Sequence, residues 1–206
     1  MANINNADSD RLTNKGLRSR QKIIDTAMSM IRTRGFSDTT IQDICAEVGI
    51  GVGTFYHYFR SKEDVLVAFI DAENQELLDF YSRQDKTSYS QALLAAANYY
   101  MDMYFFKGAG LVSHVYSMLL FAKLDFGKAN ENAFFQILRD AFIQGQKSGE
   151  FTADIDADFF VNLAMGEWFF FTSLWCNDPE HFKIREMMNE HYEKMLKLVA
   201  APGRRS

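Results

Sequence analysis

Apolar residues recur at intervals of three and four along almost the whole chain, the spacing that gathers them on one side of an α-helix. From Leu17 onward, Ile23, Ala27, Met30 and Ile31 share such a face until Gly35 interrupts it. Thr39 or Thr40 can cap the next helix, whose apolar positions Ile41, Ile44, Cys45 and Val48 follow the i, i+3, i+4, i+7 pattern. Gly49-Ile50-Gly51 predicts a tight turn, because glycine enters positive φ without steric cost. A short helix is expected from about Val52 to Phe59. Ser61 then offers an N-cap for a longer helix to about Tyr81, with Glu63 and Asp64 in its first turn, where the helix dipole favours acids. Further helices are expected over 89–106, 111–125, 130–148, 156–176 and 179–200, separated at Gly108-Ala109-Gly110, Phe126-Gly127, Ser148-Gly149 and Asp178-Pro179. No segment alternates with period two between turns, so strands are not expected.

The pattern therefore predicts an all-α chain of about nine helices, divided into a flexible arm (1–16), a head (17–66) and a larger helical-bundle body (67–206). Composition agrees: 48% of residues are hydrophobic and only 2 are proline, so little interrupts a helical backbone. Cys45 and Cys176 are too few for a disulfide framework, which points to a reducing cytoplasm. Residues 1–16 are polar, so no secretory leader is expected. The apolar run Phe159 to Trp175 is short for a membrane span and contains Asn162 and Glu167, so it reads as a buried helix. The formal net charge is −5, yet it is unevenly spread. Residues 1–62 carry nine Lys/Arg against six Asp/Glu, and the remainder carries thirteen against twenty-one. A basic head on an acidic body suits a protein that offers one end to phosphate.

Residues 40–59 read as helix, glycine turn and second helix, the helix-turn-helix arrangement whose second helix enters a DNA major groove. Val52-Gly53-Thr54-Phe55-Tyr56-His57-Tyr58 supplies hydroxyls and an imidazole, groups that reach phosphates and base edges. Pattern alone leaves a second reading open, a helical hairpin with a solvated tyrosine face. From Arg20 to Leu66, however, the chain resembles the DNA-binding head of the TetR (tetracycline repressor) family. The matching residues are Arg20, Ile23, Ala27, Gly35, Thr40, Ile44, Gly49, Gly53, Tyr56, Tyr58-Phe59, Lys62 and Leu66, in order and spacing. The resemblance implies phosphate contacts from Thr40, Tyr56, Tyr58 and Lys62. It places Gly51, Val52, Thr54 and His57 near base edges, has Gly53 permit close backbone approach, and turns Phe55 and Phe59 inward. Val48 stands where the family often has Ala, and Gly51 where it commonly has Ser, so one N-cap hydroxyl is absent.

In the body the resemblance extends to Gly145-Gln146-Lys147-Ser148-Gly149-Glu150-Phe151 at the end of a long helix. It implies a homodimer joined through the last two helices, with Ile184, Met187, His191, Met195 and Leu198 on one stripe, an operator in double-stranded DNA, and release by a small-molecule effector. Tyr99, Met103, Tyr116, Phe121, Phe142, Glu167 and Phe171 are the candidate effector-lining residues. Glu167 has two readings: a carboxylate paired with Arg139 or Lys123 or set at a solvated edge, or one facing an aromatic cavity where it would select a cationic ligand. No H-E-x-x-H, G-x-S-x-G or phosphate-loop motif appears, so neither an enzyme nor a cofactor or metal is expected. A helical interaction protein of the same fold, without an effector response, and, with less support, an enzyme remain the other readings.

Overall fold

The computed structural model describes residues 13–120 and 132–202, apart from the side chains of Leu119 and Leu120. The described residues form nine helices: α1 (Asn14–Arg34), α2 (Ile41–Val48), α3 (Val52–Tyr58), α4 (Lys62–Ser82), α5 (Tyr89–Phe105), α6 (Ala109–Leu120), α7 (Ala133–Lys147), α8 (Ala157–Asn177) and α9 (Ile184–Val199). None of them is long and apolar enough to cross a membrane. Backbone contacts divide the chain into two compact units, Met1–Glu73 and Asn74–Ser206. The division falls inside α4, seven residues beyond the Leu66 boundary expected from sequence, so one helix contributes residues to both units.

The first unit closes on one small core. Ile23, Ile24, Ala27 and Ile31 of α1 meet Ile44, Cys45 and Val48 of α2, Phe55 of α3, and Val65 and Leu66 of α4, all buried. Each large side chain removed from water in this way contributes about 1.5–3 kcal/mol. Thr40 rather than Thr39 caps α2. Thr39 is buried, and its hydroxyl donates to Gly35 O at 2.8 Å.

The second unit is a bundle of α5 to α9 joined by the C-terminal part of α4. Its interior is largely aromatic: Tyr100 stacks on Phe134 with centroids 4.5 Å apart, and Phe142 lies between Phe160 (4.2 Å) and Phe151 (5.2 Å). A Cβ built on Gly145 would stand 2.2 Å from the Phe151 ring, so the phrase Gly145–Phe151 is fixed by packing of ring against backbone. After Gly149, which takes φ +71°, the chain folds back, and Glu150 N–H donates to Gly145 O at 2.8 Å. The Glu150 carboxylate is buried and accepts from Ser88 Oγ (2.9 Å), Tyr89 N (2.7 Å) and Ser90 N (2.9 Å) at the start of α5. Thr152 N–H donates to Val199 O and Ala201 N–H to Glu150 O, closing an isolated antiparallel bridge between Phe151 and Ala200. That bridge is the one departure from pure helix among the described residues.

The last helix starts at Ile184 and not near Pro179. Asp178 accepts from the His181 backbone (3.3 Å) and its carboxylate lies 2.8 Å from His181 Nδ1, which holds 178–181 in a turn.

Candidate functional site

The turn in the first unit is built from the expected residues. Gly49 closes α2 in the left-handed region (φ +79°, ψ 39°), and the N–H groups of Gly49 and Ile50 both reach Cys45 O at 2.9 Å. Gly51 then sits at the N-cap of α3 with no side-chain cap, as its lack of a hydroxyl dictates. Phe55 is wholly buried and Phe59 nearly so, which pins one side of α3 to the core. The opposite side is left outward: Gly51, Val52, Gly53, Thr54, Tyr56 and His57 are exposed, and Tyr58 is half-buried with its ring against His57. A Cβ added at Gly51 or Gly53 would meet nothing within 4 Å, and neither residue has positive φ. The fold of this chain alone therefore does not require glycine at either position.

Two expected phosphate ligands already have partners within the chain. Thr40 Oγ1 accepts from Asp43 N–H (3.1 Å) and donates to Asp43 Oδ2 (2.8 Å), while Thr40 N–H reaches the same carboxylate: a closed capping box. Those hydrogen bonds hold the exposed Asp43 carboxyl below its ordinary range. Lys62 Nζ donates to Phe36 O and to Thr39 O (2.6 Å), and lies 4.1 Å from the centre of the Phe36 ring. Burial pushes the Lys62 pKa down, and Glu63 and Asp38 pull it back. The lysine thus ties the start of α4 to the α1–α2 connection, with one of its three N–H donors left over. Nothing in the sequence marks that clamp, because its acceptors are backbone carbonyls more than twenty positions away. Lys22 serves similarly, donating to Val48 O at 2.9 Å at the end of α2.

In the second unit Tyr116, Phe142 and Phe171 belong to one buried core, and Tyr99 and Met103 pack against it. Tyr99 stacks on Phe80 at 4.2 Å, Met103 is half-buried, and Phe142 is sealed within its ring stack. Phe121 lies outside the described residues. Phe171 and Glu167 instead share His191: the Phe171 ring is 4.7 Å from the imidazole, and Glu167 Oε1 is 3.7 Å from His191 Nδ1. Arg139 pairs with Asp158, and Lys123 also lies outside the described residues, so the group facing Glu167 is His191, which the sequence placed on the α9 stripe and not beside this carboxylate. The second Glu167 oxygen is buried without a hydrogen-bond partner.

Tyr116 is buried with its ring against Phe169 at 5.1 Å. Desolvation pushes its pKa far above the usual phenol value, and the neighbouring Thr172 hydroxyl and Trp168 indole act in the opposite sense. A separate surface cleft of about 230 Å³ is lined by Phe135, Gln136, Arg139, Asp140 and Val161.

The outward side of α8 is apolar. Phe159, Leu163 and Phe170 are exposed, Phe170 at 59%, and Leu198 on α9 is exposed at 73%. Two members of the expected α9 stripe face the other way: Ile184 and Met195 are buried in the chain's own core. At about 100° per residue Ile184 and Met195 fall together on one edge of the stripe and Met187, His191 and Leu198 on the other, so the boundary between faces runs along the stripe.

The family model for bacterial regulatory proteins of the tetR family matches residues 23–69. Over 49 residues the chain is 43% identical to the HTH-type transcriptional regulator YerO of Bacillus subtilis, a stretch covering 24% of this chain and 17% of that protein. The fatty acid metabolism regulator protein of Bacillus subtilis is 20% identical over 185 residues, 85% of this chain and 92% of its own length. Two solved structures share the fold. A TetR transcription regulator from Haloarcula marismortui superposes with a TM-score of 0.74 at 17% identity, covering 89% of this chain and 99% of its own. Bacillus subtilis FadR in complex with stearoyl-CoA gives 0.65 at 20% identity, covering 85% and 97%.

Proposed function

Because this chain belongs to the tetR family of bacterial regulatory proteins, we propose that it is a DNA-binding transcriptional repressor, released from a near-palindromic operator when its body binds a small molecule. The observation that carries this reading is the outward face of α3: a short helix anchored by Phe55, with every residue from Gly51 to Thr54 exposed and Tyr56 and His57 beside them. Gly53 supports it independently. A glycine inside a helix costs about 1 kcal/mol relative to alanine, and here no contact within the chain offsets that cost. Close approach of a duplex does.

In this reading Tyr56, Tyr58 and the remaining Lys62 donor meet phosphates, while Val52, Thr54 and His57 face base edges. Thr40 acts mainly by holding α2 in place, since its hydroxyl proton is committed to Asp43. A homodimer formed through the exposed apolar side of α8 and the adjoining part of α9 presents two heads to two half-sites about one helical turn apart. Effector binding shifts the population toward a state whose head spacing no longer matches successive grooves. Proteins of similar fold have been solved in complex with different ligands: Thermus thermophilus FadR with lauroyl-CoA and a regulator from Saccharomonospora viridis with choline. Selection of genomic fragments by the purified protein tests the proposal. It should enrich one near-palindromic sequence, and enrichment that is independent of sequence would end it.

A further inference from the structure

Phe159, Leu163, Gly166, Phe170, Ser173 and Asn177 are all exposed, and they follow one another along α8 at alternating steps of four and three. That is the heptad interval, which keeps residues in line on the side of a helix that packs against another helix. Ser173 and Asn177 are turned back on their own helix: Ser173 Oγ donates to Phe170 O (2.7 Å) and Asn177 Nδ2 to Ser173 O (3.0 Å). The apolar part of the line therefore runs from Phe159 to Phe170. Gly166 stands within it. A Cβ built there meets nothing within 4 Å, and glycine inside a helix is less favourable than alanine. The chain itself gives no reason for this glycine, whereas a side chain inserted from outside does.

The line is complementary to itself. Laid antiparallel on a copy so that Leu163 meets Gly166 of the partner subunit, it also brings Phe159 onto Phe170 of the partner subunit. Both pairs are centred on one point, between Ala164 and Met165. A large side chain then fills the space beside the glycine, and ring packs on ring. No member of the line is charged, and one charge borders it. Glu167 lies on the flank toward α9, with Oε1 3.7 Å from His191 Nδ1 and Oε2 buried without a hydrogen-bond partner. A two-fold axis through the centre keeps each flank beside its own copy. The two Glu167 then stand about 7.5 Å apart along the helices, and each carboxylate has the second copy's imidazole on its own side of the seam. The face thus matches itself in charge as well as in size. We infer that α8 pairs antiparallel with α8 of a second copy of this chain, centred between Ala164 and Met165, with Gly166 as the socket for Leu163 of the partner subunit. This rests on the reading of the protein as a homodimer, and it adds the register of the two helices and the role of Gly166.

Two measurements on the full-length protein test it. In a Cys176→Ser background, Phe159→Cys and a tagged, longer Phe170→Cys are mixed, allowed to exchange subunits and oxidised with diamide. A disulfide needs Cα atoms within about 7 Å. The mixed pair should crosslink, and it keeps one ring pair at the other end of the seam. Neither variant should crosslink to itself, because like positions lie about 16 Å apart along antiparallel helices. The second measurement is sedimentation of Gly166→Leu. Its circular dichroism should match the parent's, since the leucine enters open space in the single chain. Its dimer should dissociate at concentrations about tenfold higher or more, because the socket is filled. Crosslinking of Phe170→Cys to itself, or a mixed pair that crosslinks no better than like pairs, overturns the register and leaves the homodimer standing. A Gly166→Leu protein that dimerises as the parent does, or that loses helix, overturns the socket. A parent that is monomeric at micromolar concentration overturns the homodimer reading, and the seam with it.

Discussion

Lys62 has two roles that separate under mutation. The sequence pattern assigns it a phosphate; the structure adds its donation to the carbonyls of Phe36 and Thr39. Lys62→Ala is accordingly expected to lower stability by about 1–2 kcal/mol, because two acceptors lose a charged donor. On the folded variant the slope of log affinity against log salt should flatten by about one unit. Denaturant melts and anisotropy titrations at several salt concentrations check both halves. A changed base preference with an unaltered slope would remove Lys62 from the phosphate backbone. Gly53 makes the opposite prediction. Gly53→Ala places a methyl group where the chain has open space, so stability should hold or rise by up to about 1 kcal/mol. Operator affinity should fall at the same time. An alanine variant that binds DNA as the parent does would show that Gly53 is not reserved for the duplex.

The helices were legible because their signal is local. Ile41, Ile44, Cys45 and Val48 fall on one face by spacing alone, and all but Ile41 are buried in the structure. Boundaries failed where a side chain intervened, as at Asp178, whose carboxylate holds a turn at the site of an expected helix start. The effector candidates were less legible, since spacing cannot distinguish an aromatic residue that lines space from one that fills it. Phe142, sealed between Phe151 and Phe160, and Tyr99, half-buried against Phe80, look alike in sequence. The Glu150 anchor is another long-range device, joining the α7–α8 connection to the N-terminus of α5. Burial pushes its carboxyl pKa up, but the hydrogen bonds from Ser90, Tyr89 and Ser88 outweigh this and leave it below the ordinary range. A folded-state pKa below the unfolded one means that stabilisation is present above the unfolded value, about 4.3, and is lost as pH falls through the folded value. Glu150→Gln should thus be less stable than the parent by about 1–3 kcal/mol at pH 7. The difference should shrink steadily below about pH 4. A gap independent of pH in thermal melts would mean that the charge is not what matters.

At the scale of the molecule, the outward and inward sides of the last two helices predict different failures. Phe170 is exposed, so Phe170→Glu should leave the fold intact and give monomers, because a dimer would bury an unpaired charge. Met195 lies in the chain's own core, so Met195→Glu should unfold the body before any question of assembly arises. Sedimentation together with circular dichroism distinguishes them, and a dimeric Phe170→Glu protein would move the interface elsewhere. The bridge between Phe151 and Ala200 has a consequence during synthesis. The head's buried residues end at Ala68, whereas the Glu150 carbonyl meets its donor only after Ala201 has been added. At roughly 5–20 residues per second, roughly 7–27 seconds separate those two events on the ribosome. For that interval a nascent chain carries a head able to close its core, tethered to a body that cannot yet finish its own. Newly made protein therefore completes its head before its body, and the addition of Ala201 sets the moment at which the bridge can close.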